Sequence, residues 1–440
     1  MNNKKWMAIL LGGIMAASLA APCSVSAAEK TTLTFWHAMG GTNGEVLQQI
    51  VDDFNASQDE IEIKAEYQGT YDDTITKLKA AMQSDSGLPD VCQMYDVGTK
   101  FMYDSGAVIP VEDKFESTGY DKSSVMDVIS SYYTVEGKQY AMPFNVSTPM
   151  LYYNKDVFEA AGLDPETPPT TYDEVLEDAK KIVESGAAPV GYSQAIYGWF
   201  FEQQLAGLGV TYGNNDNGRK EAVTAVDFDS NGGGLKVFDM WKKLYDSGYF
   251  EDYGTTTADT QTAFFSGQVG MIIESTAILK NAVDSSPFEV GTGYLPRIEQ
   301  NDEGGVIIGG GSLWLTDTGN EANEDAAWKF IEYITTPDVQ AKWSMGTGYF
   351  AINEKAYETE DMKAYLKENP NFETAINQLK DSPVNCNTAG VLSGVQTEAR
   401  LTFNEIMPQV YDGKLTTQDA VDQLAASVNK AIENYNESIK

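Results

Sequence analysis

Residues 141–172, AMPFNVSTPMLYYNKDVFEAAGLDPETPPTTY, leave this chain few structural choices. Pro143 and the polar residues 145–148 read as a loop. Met150-Leu151-Tyr152-Tyr153 is an apolar and aromatic run of strand length without alternation, as expected of a strand buried on both faces. Asn154 supplies a helix N-cap and Gly162 a helix stop. Pro165, Pro168 and Pro169 stiffen a spacer, and Thr171 with Glu174 forms a capping box before Val175, Leu176, Ala179 and Ile182. Loop, buried strand, helix, rigid spacer and helix restart an α/β pattern in mid-chain.

The same alternation precedes it. Residues 31–36 read as a strand, and 44–57 as a helix with Val46, Leu47, Ile50, Val51 and Phe54 on one side. A strand over 61–67, a helix over 72–83 and a buried strand over 89–95 follow. Such alternation predicts a largely parallel sheet covered by helices. Strands recur at 269–275 and 305–315, and amphipathic helices at 324–334 and 418–432, the last capped by Thr416. At 440 residues and 42% hydrophobic composition the chain can bury two cores. The reading is an α/β protein of two lobes, with crossings near Ala141, Ser275 and Thr336. Lobe 1 would hold 28–140 plus 276–335, and a helix-rich lobe 2 would hold 141–275 plus 336–440.

Residues 1–27 have the build of a secretory signal peptide: Lys4 and Lys5, an apolar stretch over 7–21, and Val25-Ser26-Ala27 as the cleavage site. Cleavage after Ala27 makes the protein exported. Cys23 offers a lipid-anchored start instead, but Pro22 and Ala20 do not meet the requirements before a lipidated cysteine. Cys92 and Cys386 can be a disulfide or two separate small hydrophobes. The net charge of −35 makes the body a poor partner for nucleic acid or anionic membrane. It also opposes an anionic ligand, although screening over about 8–10 Å lets pocket groups outweigh distant carboxylates.

A single histidine, His37, removes most acid–base and metal schemes. At the end of the first strand it is expected to be packed. Residues 227–232, DFDSNG, begin like a calcium loop, but Phe238 stands where the bidentate glutamate belongs, so a turn before a helix is expected. Gly309-Gly310-Gly311-Ser312 follows an apolar strand and suits either close backbone approach to an anion or a tight strand bulge. Arg400 lies in the helical stretch ARLTFNEIM, where a surface ion pair is the plain expectation.

Several phrases in order, FWHAMGG (35–41), YQGTYDD (67–73), QMYDVGT (93–99), PFNVSTP (143–149), VIIGGGSLW (306–314) and TGYFAINEKAY (347–357), change that expectation. With them the chain resembles the family 1 extracellular solute-binding proteins, receptors of bacterial ABC importers, and most nearly their glycerol-3-phosphate-binding branch. The likeness spans almost the whole mature chain. It implies a two-lobe, type II-like binding-protein fold with a hinge and an interlobe cleft, no catalysis and no cofactor. It further implies a phosphate grip by Ser147, Ser275, Gly310, Tyr349 and Arg400. Tyr71 and Asp96 would meet the glycerol end, and Trp199 would wall the cleft. The implied partners are the small ligand and a two-subunit permease driven by an ATPase, with a monomeric receptor in the periplasm or outside the cell.

Such groups suit a phosphate ester of about −1.5 to −2 charge, because a forked guanidinium and neutral donors satisfy its oxygens directionally. The branch carries glutamate where this chain has Asp96, a carboxylate standing about 1.5 Å shorter. That leaves room for a larger substituent, so glycerophosphodiesters join glycerol-3-phosphate as expected ligands. A sugar receptor of the same superfamily, stacking its ligand on Trp36, Trp199, Trp314 and Tyr349, is the alternative. A secreted glycosidase, which needs two acids at roughly 5–10 Å, is the remote one.

Overall fold

A computed structural model describes residues 30–84 and 87–440; the expected signal peptide and Cys23 lie outside them. The strands are β1 (Thr31–His37), β2 (Ile61–Tyr67), β3 (Val91–Tyr95), β4 (Val108–Ile109), β5 (Thr134–Val135), β6 (Lys138–Gln139), β7 (Met142–Ser147), β8 (Pro149–Asn154), β9 (Val190–Ser193), β10 (Val269–Ser275), β11 (Val290–Gly293) and β12 (Gly309–Thr316). The first sheet runs β2-β1-β3-β12-β4, with β7 also paired to β12; the second runs β11-β8-β10-β9; β5 and β6 form a hairpin. β1 is parallel to β2 and β3, but β12 enters antiparallel to β3, β4 and β7. The first sheet is therefore mixed rather than largely parallel.

Local sequence explains most elements. Leu33 and Phe35 alternate inward from β1 onto Leu47, Ile50, Val51 and Phe54 of helix Gly41–Ser57. Thr70 with Asp73, Thr171 with Glu174 and Thr416 with Asp419 form capping boxes at the heads of helices Tyr71–Met82, Tyr172–Ser185 and Thr417–Ser438. Each box satisfies orphan N–H groups that a helix start leaves open.

Residues 145–147, read as loop, are strand. All of β7 is buried, so it shows no alternation, and its polar side chains serve a hydrogen-bond network instead of solvent. Only Thr148 separates β7 in the first sheet from β8 in the second. Thr148 N–H donates to Thr276 Oγ1 (3.1 Å), and Thr276 N–H returns a bond to Thr148 O (2.8 Å).

Sheet pairing departs from the boundary expected at 141 and from the single lobe expected for 276–335. β7 joins the first sheet and β11 the second. Helix Pro337–Thr347 packs on helix Gly41–Ser57, with Lys342 paired to Asp53 at 2.6 Å and Gly346 facing Val46. Trp343 and Trp314 lie in the first core, and Trp241 and Phe403 in the second. Local pattern names a strand but not its partner, which is why the crossings shifted.

β7 meets β12 across a bulge at Gly311/Ser312. Gly310 there has φ +95°, and a Cβ would lie 1.8 Å from the carbonyl oxygen of Asn145. Gly310→Ala is expected to cost about 2–4 kcal/mol in urea denaturation, from strain and steric overlap together.

Candidate functional site

Helix Gln396–Tyr411 carries Arg400 into the gap between the lobes, where the residue is 8% exposed. Helix Gly198–Gly207 crosses it so closely that a Cβ on Gly198 would sit 2.5 Å from the Arg400 Cα. That contact brings Glu202, one turn further on, onto the guanidinium as a fork. Arg400 Nε donates to Glu202 Oε1 and Nη2 to Oε2, both at 2.7 Å, while Gln396 also donates to Oε1 at 2.7 Å. From the opposite lobe, Asp96 Oδ2 accepts from Nη2 at 3.0 Å.

Arg400 thus forms an ion pair, but a buried one that joins the lobes. Desolvation raises the Glu202 carboxyl above its ordinary range despite the guanidinium beside it. Desolvation also works against the charged form of Arg400, but Asp96 and Glu202 overcome it and hold the guanidinium well above its ordinary value. Three of five guanidinium N–H groups are used, and the two on Nη1 have no protein acceptor among the described residues.

On the first-lobe side, Tyr71 stacks on Tyr95 with centroids 5.2 Å apart and 7° between planes. Its hydroxyl accepts from Asn145 Nδ2 at 2.7 Å; Asn145 Oδ1 accepts from Gln93 Nε2 at 2.7 Å; and Gln93 Oε1 takes the Ala38 N–H at 2.8 Å. Tyr349 stacks on Trp343 and brings its phenol to Asn145 and Tyr71. Burial pushes both phenols up, so they act as neutral donors and acceptors.

Ser147 ends β7 opposite Gly309, and a Cβ on Gly309 would lie 2.8 Å from the Trp199 indole. Trp199 Nε1 is buried with no hydrogen-bond partner among the described residues. Ser275 ends β10 beside Pro149; its Oγ accepts from Ala277 N–H at 3.2 Å, which leaves its hydroxyl proton available.

Of the eight residues singled out from sequence, Asp96 bonds to Arg400, Tyr71 and Tyr349 meet at Asn145, and Ser147 lies opposite the Gly309 that packs on Trp199. Tyr71, Asp96, Ser147, Gly310 and Tyr349 come from the first-sheet side, and Trp199, Ser275 and Arg400 from the second. Ser147 and Tyr349 sit on the side opposite to the one expected, because β7 and helix Pro337–Thr347 join the first core. Glu202, Asn145, Gln93 and Tyr95 were not foreseen. A signal existed for Glu202, the lone charge in helix Gly198–Gly207, whose sequence is otherwise uncharged. A cavity of ≈ 540 Å³ beside Pro168, Tyr294 and Arg297 touches none of the eight.

His37 is 6% exposed, packs between the rings of Phe35 and Tyr67, and accepts the Met39 N–H at Nδ1 (3.3 Å). Cys92, buried in β3, and Cys386 are both free thiols. The Asp227 segment is a turn leading to helix Gly233–Asp246, and no metal-binding cluster of His, Cys, Asp or Glu occurs among the described residues.

Two α/β lobes, linked by adjoining crossings and facing one another with polar and aromatic groups, define a two-lobe periplasmic-type binding protein. The bacterial extracellular solute-binding protein family matches residues 49–374, and the chain belongs to that family. It is 31% identical over 417 residues to the sn-glycerol-3-phosphate-binding periplasmic protein UgpB of Escherichia coli (strain K12), covering 93% of this chain and 94% of the relative. Among solved structures it resembles UgpB from Mycobacterium tuberculosis in complex with glycerophosphocholine, with a TM-score of 0.78, 20% identity and coverage of 93% and 100%. It also resembles the cyclic alpha-maltosyl-1,6-maltose binding protein from Arthrobacter globiformis, with a TM-score of 0.76, 26% identity and coverage of 92% and 100%. The fold and the solute-receptor role in ABC import expected from sequence both hold. No helix among the described residues is long and apolar enough to cross a membrane.

Removing the guanidinium leaves Glu202 buried without its cation. Arg400→Ala should therefore lose about 3–5 kcal/mol in urea titration, and Arg400→Met with Glu202→Met should lose less than the single change. Burial pushes His37 from 6.5 down to about 4. Between those pH values the unfolded chain takes up a proton that the folded protein refuses, so stability falls as pH falls through this window. His37→Gln should flatten that part of the pH–stability curve.

Proposed function

We propose that this receptor captures glycerol-3-phosphate or a glycerophosphodiester such as glycerophosphocholine between its lobes and delivers it to an ABC permease. The observation that carries this reading is the buried Arg400, anchored along one edge by Glu202 with both Nη1 N–H groups uncommitted. An anion meeting that edge gains charge-assisted bonds from a donor already held in place. The hydroxyls of Ser147, Ser275 and Tyr349 and the bared backbone at Gly310 supply neutral partners. Tyr71 and Asp96 suit glycerol hydroxyls, and Trp199 offers a wall with an unsatisfied indole N–H. The name of the Escherichia coli relative supports the same ligand class.

Two carboxylates against one guanidinium make the immediate site electronegative. That balance favours a singly charged diester over a doubly charged monoester. A neutral sugar is the second reading, favoured because Asp96 and Glu202 already offset the charge of Arg400. Catalysis is not part of the proposal, since Asp96 and Glu202 are both tied to a guanidinium. The protein acts as an exported monomer, cleaved after Ala27. Ligand contacts to both lobes favour the closed form.

Titration calorimetry with glycerol-3-phosphate, glycerophosphocholine and maltose tests the assignment. Micromolar binding of either phosphorylated compound, without turnover, is expected. Heat with maltose alone would overturn it.

A further inference from the structure

We infer that Asp96 competes with the ligand's anionic group for Arg400, so that it sets both the choice of ligand and the tightness of the closed lobes. This rests on the reading that the anion meets Arg400. Of the two carboxylates on the guanidinium, Glu202 shares a lobe with Arg400 and takes its Nε edge as a fork. Asp96 comes from the facing lobe and takes the remaining Nη2 hydrogen at 3.0 Å. When the lobes part, Glu202 stays with Arg400 and Asp96 leaves.

The position of Asp96 is fixed by its own chain. It opens the turn Asp96–Gly98 directly after β3, and its carbonyl accepts from Thr99 Oγ1 at 2.7 Å. Two uncharged-donor contacts join the lobes nearby: the Tyr95 hydroxyl meets Thr397 Oγ1 at 2.7 Å, and the Tyr435 hydroxyl donates to Asp104 Oδ2 at 2.7 Å. Asp96 with Arg400 is the ion pair of this set. In this buried gap, an anion reaching the Nη1–Nη2 edge meets a carboxylate of like charge on the same cation. The penalty grows with the guest's charge, so Asp96 selects against dianions and weakens least the zwitterionic or neutral guests.

This assignment reverses the sign of one mutation. If Asp96 served only as an acceptor for ligand hydroxyls, Asp96→Asn would weaken binding. As a competitor, it should do the opposite. Asp96→Asn is expected to bind glycerol-3-phosphate about ten-fold more tightly by calorimetry, and glycerophosphocholine with a smaller gain. In the ligand-free protein the same change should lengthen the interlobe distance between spin labels on the two lobes, and Asp96→Ala should lengthen it too.

Weaker binding of both ligands by Asp96→Asn, or an unchanged label distance, would overturn the inference. If neither wild type nor variant binds any phosphorylated compound, the ligand assignment fails, and the label distance alone decides whether Asp96 holds the lobes together.

Discussion

A guanidinium removed from water must be met by negative charge, and Arg400 is met twice. Glu202 fixes its direction from within the same lobe, and Asp96 completes its coordination from across the gap. Much of the surrounding architecture serves that encounter. The close crossing of helices Gly198–Gly207 and Gln396–Tyr411 is possible because Gly198 lacks a side chain. The turn that follows β3 aims Asp96 at the facing lobe. Had the guanidinium been buried without Glu202 and Asp96, the cost of its desolvation would have gone unmet. Kept together, they hold one cation between two carboxylates in a protein that is strongly acidic overall.

The glycine run in β12 has a related task. Gly309 lies beneath the Trp199 indole and Gly310 over the Asn145 carbonyl, so strand, ring and neighbouring strand approach more closely than side chains would permit. The pairing of β12 with β7 shifts register one residue further on, between Gly311 and Ser312. Rigid stacking of Tyr71 on Tyr95 and of Tyr349 on Trp343 then holds the first-lobe wall in place.

Much of this was legible in the sequence, for identifiable reasons. β1, β2 and β10, and the helices headed by Thr70, Thr171 and Thr416, followed from periodicity and caps, which act over a few residues. The bulge was one of two readings of the glycine run. What the sequence left hidden depends on distant partners. Whether Asn145 sits in a loop or a buried strand is decided by Gln93 and β12. That Arg400 is an interlobe ion pair rather than a surface one depends on Glu202 and Asp96, far away in the chain. The mixed sheet escaped notice because a strand's direction relative to its neighbour leaves no local trace.

The junction at Thr148 has a mechanical consequence. One residue offers only two soft torsions, and those of Thr148 are buttressed by the reciprocal bonds to Thr276 in the adjoining crossing. A joint so short cannot behave as a slack tether. For the proposed lobe closure it has the geometry of a leaf spring with two clamped blades, which favours bending about one narrow axis over twist or sideways slip.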